Sequence, residues 1–177
     1  VSVNLSGASF ADDADASAGA IVDLLKASGA PPGAVKVEIT EAALIKNPSE
    51  VSRALEALRA AGAHVALDDF GTGYSSLSYL VGFPITTLKI DRMFVSDMLD
   101  DPRSLEVVRA VVGLAHAMRL ETIAEGVEST EQLQTLWRLG CEFAQGFLLG
   151  RPMSLDQASR MVAKPSIITR GPVLLEE

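Results

Sequence analysis

Six short apolar runs each carry one polar side chain at the same parity. Asn4 lies between Val3 and Leu5, Glu38 between Val37 and Ile39, and Lys89 between Leu88 and Ile90. Asp68 has Val65 and Leu67 on the opposite parity, with Asp69 directly after it, and Glu125 and Gln145 stand late in two further runs. Residues two apart in a strand share a face, so each run aims one polar group to a common side. A lone carboxylate at a strand end is more often solvated or paired than functional. Six such groups on six consecutive strands call for a joint explanation. Carboxylates gathered in a barrel interior are too costly to bury unless cations neutralise them, and Lys89 supplies only one positive charge. Asn4, Glu38, Asp68, Asp69 and Glu125 are all oxygen donors, which suits Mg²⁺ or Mn²⁺ better than zinc. The adjacent pair Asp68–Asp69 points to two metals sharing a ligand, the usual apparatus of phosphodiester hydrolysis. Lys89, Glu125 and Gln145 complete the inward-facing set.

The run Asp69-Phe70-Gly71-Thr72-Gly73-Tyr74-Ser75-Ser76 follows at once. Two glycines there give a loop whose backbone can approach a ligand; a phosphate cradle and a plain loop are equally compatible with the spacing. The remaining metal-ligating types do not build a zinc site. His64 opens its strand, at the wrong end for a barrel active site, and His116 falls inside a long helix. Cys141 is the single cysteine and is expected to be a small buried residue.

These groups are positioned by alternating strands and helices. Strands are expected over 2–6, 36–40, 64–70, 87–91, 121–127 and 143–147, and helices over 14–27, 48–61, 75–81, 102–119, 130–139 and 154–163. Pro48 suits the first turn of its helix, Asp100 and Asp101 lead into residues 102–119, and Ser129 caps the next helix, which Gly140 ends. Ser154 is the expected cap of the last. Strand–helix units of about 30 residues fit a TIM barrel, of which six are present. A doubly wound sheet is the alternative, but Ser6-Gly7-Ala8-Ser9 is a poor match to the glycine-rich turn of its dinucleotide-binding version. The expected class is therefore α/β, a TIM (β/α)8-type barrel, with the domain over 1–165 and a tail over 166–177.

The net charge of -8 argues against a nucleic-acid duplex or an anionic membrane surface as partner. An anionic substrate would need local positive charge, and bound cations provide it. No apolar run approaches the roughly 20 residues of a membrane span.

At these residues the sequence resembles the EAL-domain phosphodiesterases. The matching stretches are VNLS at 3–6, VEITE at 37–41, ALDDFGTGYSSLSYL at 66–80, LKID at 88–91, IAEGVE at 123–128 and AQGFLLGRPM at 144–153. They occur in family order across nearly the whole chain. The resemblance implies hydrolysis of cyclic di-GMP to linear pGpG in bacterial cytoplasmic signalling, with two divalent cations, Mg²⁺ or Mn²⁺. It implies that Asn4 and Glu38 bind the first metal, that Asp68 is shared, and that Asp69 and Glu125 bind the second. Lys89 matches the lysine that orients and polarises the attacking water, with Gln145 beside it. Glu41 matches the glutamate that holds the loop carrying Gly71, Thr72, Gly73, Tyr74 and Ser75. Asp91 and Glu128, at the ends of their motifs, join the loop and substrate group, and Pro152 falls where the family lines a guanine pocket. The loop over 70–80 is expected to contribute to a homodimer.

The Glu-Ala-Leu signature and its following arginine are expected two barrel units before VNLS, ahead of Val1. The 177 residues alone are therefore expected to fold poorly and to lack activity, with the preceding strands restoring both. The competing functional expectation is a degenerate domain that binds cyclic di-GMP, or a protein partner, without cleavage. An enolase-like lyase has only the carboxylate pattern in its favour, and the DFGTGYSS loop speaks against it.

Overall fold

The computed structural model describes residues 1–5, 13–71 and 77–162. Strands β1 (Ser2–Asn4), β2 (Lys36–Thr40), β3 (His64–Phe70), β4 (Thr87–Ile90), β5 (Glu121–Ala124) and β6 (Phe143–Ala144) form one sheet. Every neighbouring pair is parallel and the spatial order is the chain order. A doubly wound sheet reverses its strand order partway; this one never does. Right-handed crossovers taken always in the same direction put every connecting helix on one face, as a barrel requires.

The sheet also curls. Strands β2 and β5 are three apart in the order, roughly 14 Å in a flat sheet. Lys36 Nζ on β2 nevertheless reaches Glu121 Oε2 on β5 at 3.3 Å across the concave face. The opposite parity faces the helices and forms the core: Val37, Ile39, Val65, Leu67, Leu88 and Ile90 are all 1% exposed or less. Each such burial contributes about 1.5–3 kcal/mol. Helix α1 (Ala14–Ser28) packs against α3 (Pro48–Ala60), which contributes the fully buried Leu55 and Leu58.

Local chemistry explains the helix ends. Asp101 caps α6 (Pro102–Ala117), accepting from the amides of Arg103 and Ser104, with proline in the first turn. Ser129 and Gln132 form a reciprocal capping box at α7 (Thr130–Leu139), and Gly140 ends it in the left-handed region. In α8 (Leu155–Val162), the Ser154 hydroxyl accepts from Gln157 N. Helix α4 (Leu77–Gly82) overlaps the short helix expected at 75–81 and runs one residue past its end. Two further helices, α2 (Glu41–Lys46) and α5 (Arg92–Asp97), are too short for sequence periodicity to mark.

Four strands end earlier than expected: β1 at Asn4 and β4 at Ile90, and, with consequence for the site, β5 and β6. Strand β5 stops at Ala124 because Gly126 turns at φ +69, and β6 stops at Ala144. Glu125 and Gln145 thus stand just beyond their strands rather than within them. The tail at 166–177 and residues Thr72, Gly73, Tyr74 and Ser75 lie outside the described residues. No helix among the described residues is long and apolar enough to cross a membrane.

Candidate active site

The lysine at the centre of β4 gathers the site. Lys89 Nζ is 2.6 Å from Glu38 Oε2, 2.9 Å from Asp68 Oδ1 and 2.5 Å from Glu125 Oε1. These partners come from β2, β3 and the end of β5, so one ammonium ties together both sides of its own strand. The Lys89 side chain is 3% exposed. Burial works against its charged form, but the hydrogen bonds to Glu125, Glu38 and Asp68 outweigh burial and hold its pKa above the ordinary lysine value. Burial also raises the Glu125 carboxyl, an effect that Lys89 partly offsets.

Simple alternation would send adjacent Asp68 and Asp69 to opposite faces. The pairing of β3 with β4 shifts register between Leu67 and Phe70, and Asp69 adopts φ +55. Such an irregularity re-aims a side chain, and it brings the second carboxylate toward the first. Burial raises the Asp69 carboxyl, as do the neighbouring Asp68 charge and a side-chain hydrogen bond with Asp91; Lys89 opposes them weakly. A left-handed aspartate costs of order 1–3 kcal/mol and is characteristic of functional positions. Asp91 also caps α5, its Oδ1 accepting from Met93 N at 2.6 Å.

The segments past β5 and β6 stay locked together after the strands end. Gln145 N donates to Ala124 O at 2.8 Å, Val127 N to Gln145 O at 3.0 Å and Leu148 N to Val127 O at 3.1 Å. Gln145 Nε2 donates to Glu125 Oε1 at 2.7 Å. Gly146 permits this contact, because a Cβ there would lie 2.1 Å from Val127 O.

The other expected residues fall around this centre. Asn4 pairs in register with Glu38, one strand away, and is exposed on the edge strand. Glu41 is buried at the start of α2, directly after β2. Gly71 leaves β3 at φ +98 against the Phe94 ring. A cavity of about 610 Å³ opens beside Glu125 and Gln145, lined also by Glu128 and Pro152. Sequence reasoning did not single out several of its lining residues, Arg92, Phe147, Arg151, Met153 and Met161 among them. Some of these adjoin recognised residues, Arg92 after Asp91 and Arg151 and Met153 on either side of Pro152, and adjacency was the available signal. The groups set aside earlier do lie elsewhere. His64 opens β3, Cys141 is buried with its thiol donating to Phe143 O, and His116 Nε2 sits 2.9 Å from Glu142 Oε1.

The donor set fits hard divalent cations. Three carboxylates converge on one positive charge and Asp69 adds a fourth nearby; burial first, and neighbouring carboxylates after it, push the Asp69 and Glu125 carboxyls up. The Lys89 ammonium stands at the convergence point in this conformation. Among the described residues, no three His, Cys, Asp or Glu side chains form a ready cage. The carboxylates are oxygen donors, and Lys89 supplies the cationic charge that holds them together.

Comparison with known proteins places this geometry. The family model described as EAL domain matches residues 1–152. Cyclic di-GMP phosphodiesterase RocR of Pseudomonas aeruginosa is 49% identical over 123 residues, covering 70% of this chain and 31% of RocR. The solved EAL domain of Mycobacterium smegmatis DcpA superposes with a TM-score of 0.85 at 40% identity, covering 92% of this chain and 72% of that one. The PaMucR phosphodiesterase, solved as a c-di-GMP complex, gives a TM-score of 0.81 at 38% identity, covering 89% and 63%. The first four curated relatives are longer proteins, of which the chain spans 18–31%.

Proposed function

This chain belongs to the EAL-domain family, and from that premise we propose that the intact domain hydrolyses cyclic di-GMP to linear pGpG. The observation that carries the reading is the convergence of Glu38, Asp68 and Glu125 on Lys89 Nζ within 2.9 Å. Supporting it, RocR and NbdA, 49% and 42% identical, are named cyclic di-GMP phosphodiesterases.

Asn4, Glu38, Asp68, Asp69 and Glu125 would hold two Mg²⁺ or Mn²⁺ ions. When bound, such ions supply Lewis-acid activation of water and stabilise charge on the phosphodiester. The chain's own residues do the rest. Lys89 carries three hydrogens and no lone pair when charged, so it donates to the attacking oxygen and orients it rather than removing its proton. Gln145 fixes the Glu125 carboxylate through its amide. The Asp69 backbone turn keeps its carboxylate on the reacting side. On the same reading Glu41, buried at the start of α2, would hold the 71–75 loop, and two intact bacterial cytoplasmic domains would pair through residues 70–80, which light scattering of the intact protein tests.

The deciding experiment uses the natural full-length protein. Chromatography should detect pGpG with Mg²⁺ or Mn²⁺, none after exhaustive chelation, and inhibition by Ca²⁺, which favours looser coordination. Hydrolysis that survives chelation refutes the two-metal reading. Tight binding of cyclic di-GMP without turnover would instead make the domain a receptor.

A further inference from the structure

Strands β4 and β5 pair as far as Ile90 and Ala124, and Glu125 N still donates to Ile90 O at 3.1 Å. Beyond that point the sheet no longer sets how the two segments stand. One enters α5 at Asp91, which caps the helix and hydrogen-bonds Asp69. The other forms the turn 125–128, whose Glu125 meets Lys89. The two are packed in contact, since a Cβ on Gly126 would fall 2.5 Å from Arg92 Cβ. A six-residue helix has few bonds of its own to resist displacement, so its hold on the turn must come from elsewhere.

One buried side chain supplies it. Gln132, on α7, is 7% exposed. Its Oε1 accepts from Glu128 N at 2.8 Å and Ser129 N at 3.0 Å, and its Nε2 donates to Val95 O in α5 at 3.2 Å. Val95 O is among the last four carbonyls of its helix, which have no partner within it. The bond from Ser129 N is the ordinary reach of a capping box, and a glutamate would accept it equally well. Only an amide can also donate to a carbonyl of another helix. The donor half of Gln132 is therefore surplus to the capping of α7, and it is spent on α5.

We propose that Gln132 is a positioning residue of this site: its amide pins α5 to the turn 125–128 and so fixes Asp91, with Asp69, relative to Glu125. It stands behind these carboxylates and acts through them. The inference rests on the metal-dependent cyclic di-GMP reading above and deepens it. Groups that must act together on a bound ion tolerate only about 0.5 Å of misplacement. Loss of a group that orients such ligands lowers metal affinity or activity roughly 10- to 100-fold.

The test uses the natural full-length protein and measures Mn²⁺ affinity without substrate, by electron paramagnetic resonance, beside hydrolysis and melting temperature. Gln132→Glu keeps the acceptor for Glu128 N and Ser129 N, and with it the cap, but presents no donor to Val95 O. Mn²⁺ binding should weaken roughly 10- to 100-fold, and hydrolysis at limiting Mn²⁺ should fall with it and recover in part as Mn²⁺ is raised. Gln132→Met has a similar reach and no charge to bury, so it guards against a fold lost to a buried carboxylate; it should weaken Mn²⁺ as much. Ser129→Ala is the comparison. It weakens the same cap and lowers the melting temperature, but it leaves the bond to Val95 O and should leave Mn²⁺ affinity unchanged. Wild-type Mn²⁺ affinity in a folded Gln132 variant overturns the proposal, and so does an equal loss in Ser129→Ala, which would make Gln132 a helix cap alone. A wild-type protein that binds no Mn²⁺ and cleaves no cyclic di-GMP overturns the functional reading itself; an active wild type whose Gln132 variants match it overturns only this inference.

Discussion

Two lysines cross the concave face of the same sheet, and their surroundings differ in one decisive respect. Lys36, at the start of β2, meets a single carboxylate, Glu121, at 3.3 Å, with the Phe143 ring 5.7 Å away. Lys89, on β4 and nearer the strand ends, meets three carboxylates at 2.5–2.9 Å. At the floor of the barrel Lys36 is paired with one carboxylate. Beside Lys36, Glu142 accepts from Thr122 N and Oγ1 and contacts His116, stitching β5, β6 and α6 together. The mouth carries excess negative charge and a strained aspartate at φ +55. A sequence that needed only stability would balance both ends. The imbalance at one end is where the proposed cations and substrate would belong.

The sharpest way to break this contrast is to remove Lys89. In the intact protein, Lys89→Ala should lower hydrolysis at least about 100-fold, the scale of one positioned catalytic group, with cyclic di-GMP binding largely kept. It should also make thermal stability more dependent on added Mg²⁺ than in the wild type, because three buried carboxylates lose their counter-charge. Near-normal turnover in a single-turnover assay would remove Lys89 from the mechanism. Next in size is Gly146→Ala. Its Cβ would overlap Val127 O, 2.1 Å away, and relief should cost about 1–3 kcal/mol of stability in denaturant titration. Turnover should fall with it, as Gln145 leaves Glu125.

The floor should respond differently. Lys36→Met should cost about 1 kcal/mol or less, since its partner is partly exposed, and leave kcat unchanged. A large loss of kcat would erase the distinction between the two lysines. The smallest effect concerns acid. Burial alone would raise the Glu142 carboxyl, but hydrogen bonds from Thr122 and His116 hold it below the ordinary value. A carboxyl depressed in the folded state contributes stability above its unfolded pKa, and that contribution is lost as pH falls through the folded value. Glu142→Gln should therefore flatten the acid side of the curve of melting temperature against pH, and an unaltered curve would exclude the role.

Much of the site was legible because parity is a local property. Once β2 and β4 are recognised, a period of two places Glu38 and Lys89 inward whatever the rest of the chain does. The capping of α6 by Asp101 and of α7 by Ser129 was equally local, as was the end of α7 at Gly140. What periodicity could not reach was short or irregular. Helix α5 is six residues long, and β5 and β6 end before their apolar runs do. The alternation rule would separate Asp68 from Asp69, and the resemblance, not the rule, put both in the site.

The sequence by itself determined the α/β class, the family and the set of inward-facing donors, since each depends on residue type and on spacing along one strand. Only the tertiary structure decided that three of those donors meet at one Nζ, that Lys36 finds Glu121 three strands away, and that Arg92 lines one cavity with Phe147 and Pro152. Those distances depend on how far the sheet curls and where its register slips. Curvature is the sum of small twists over six strands, and no single stretch of the chain encodes it.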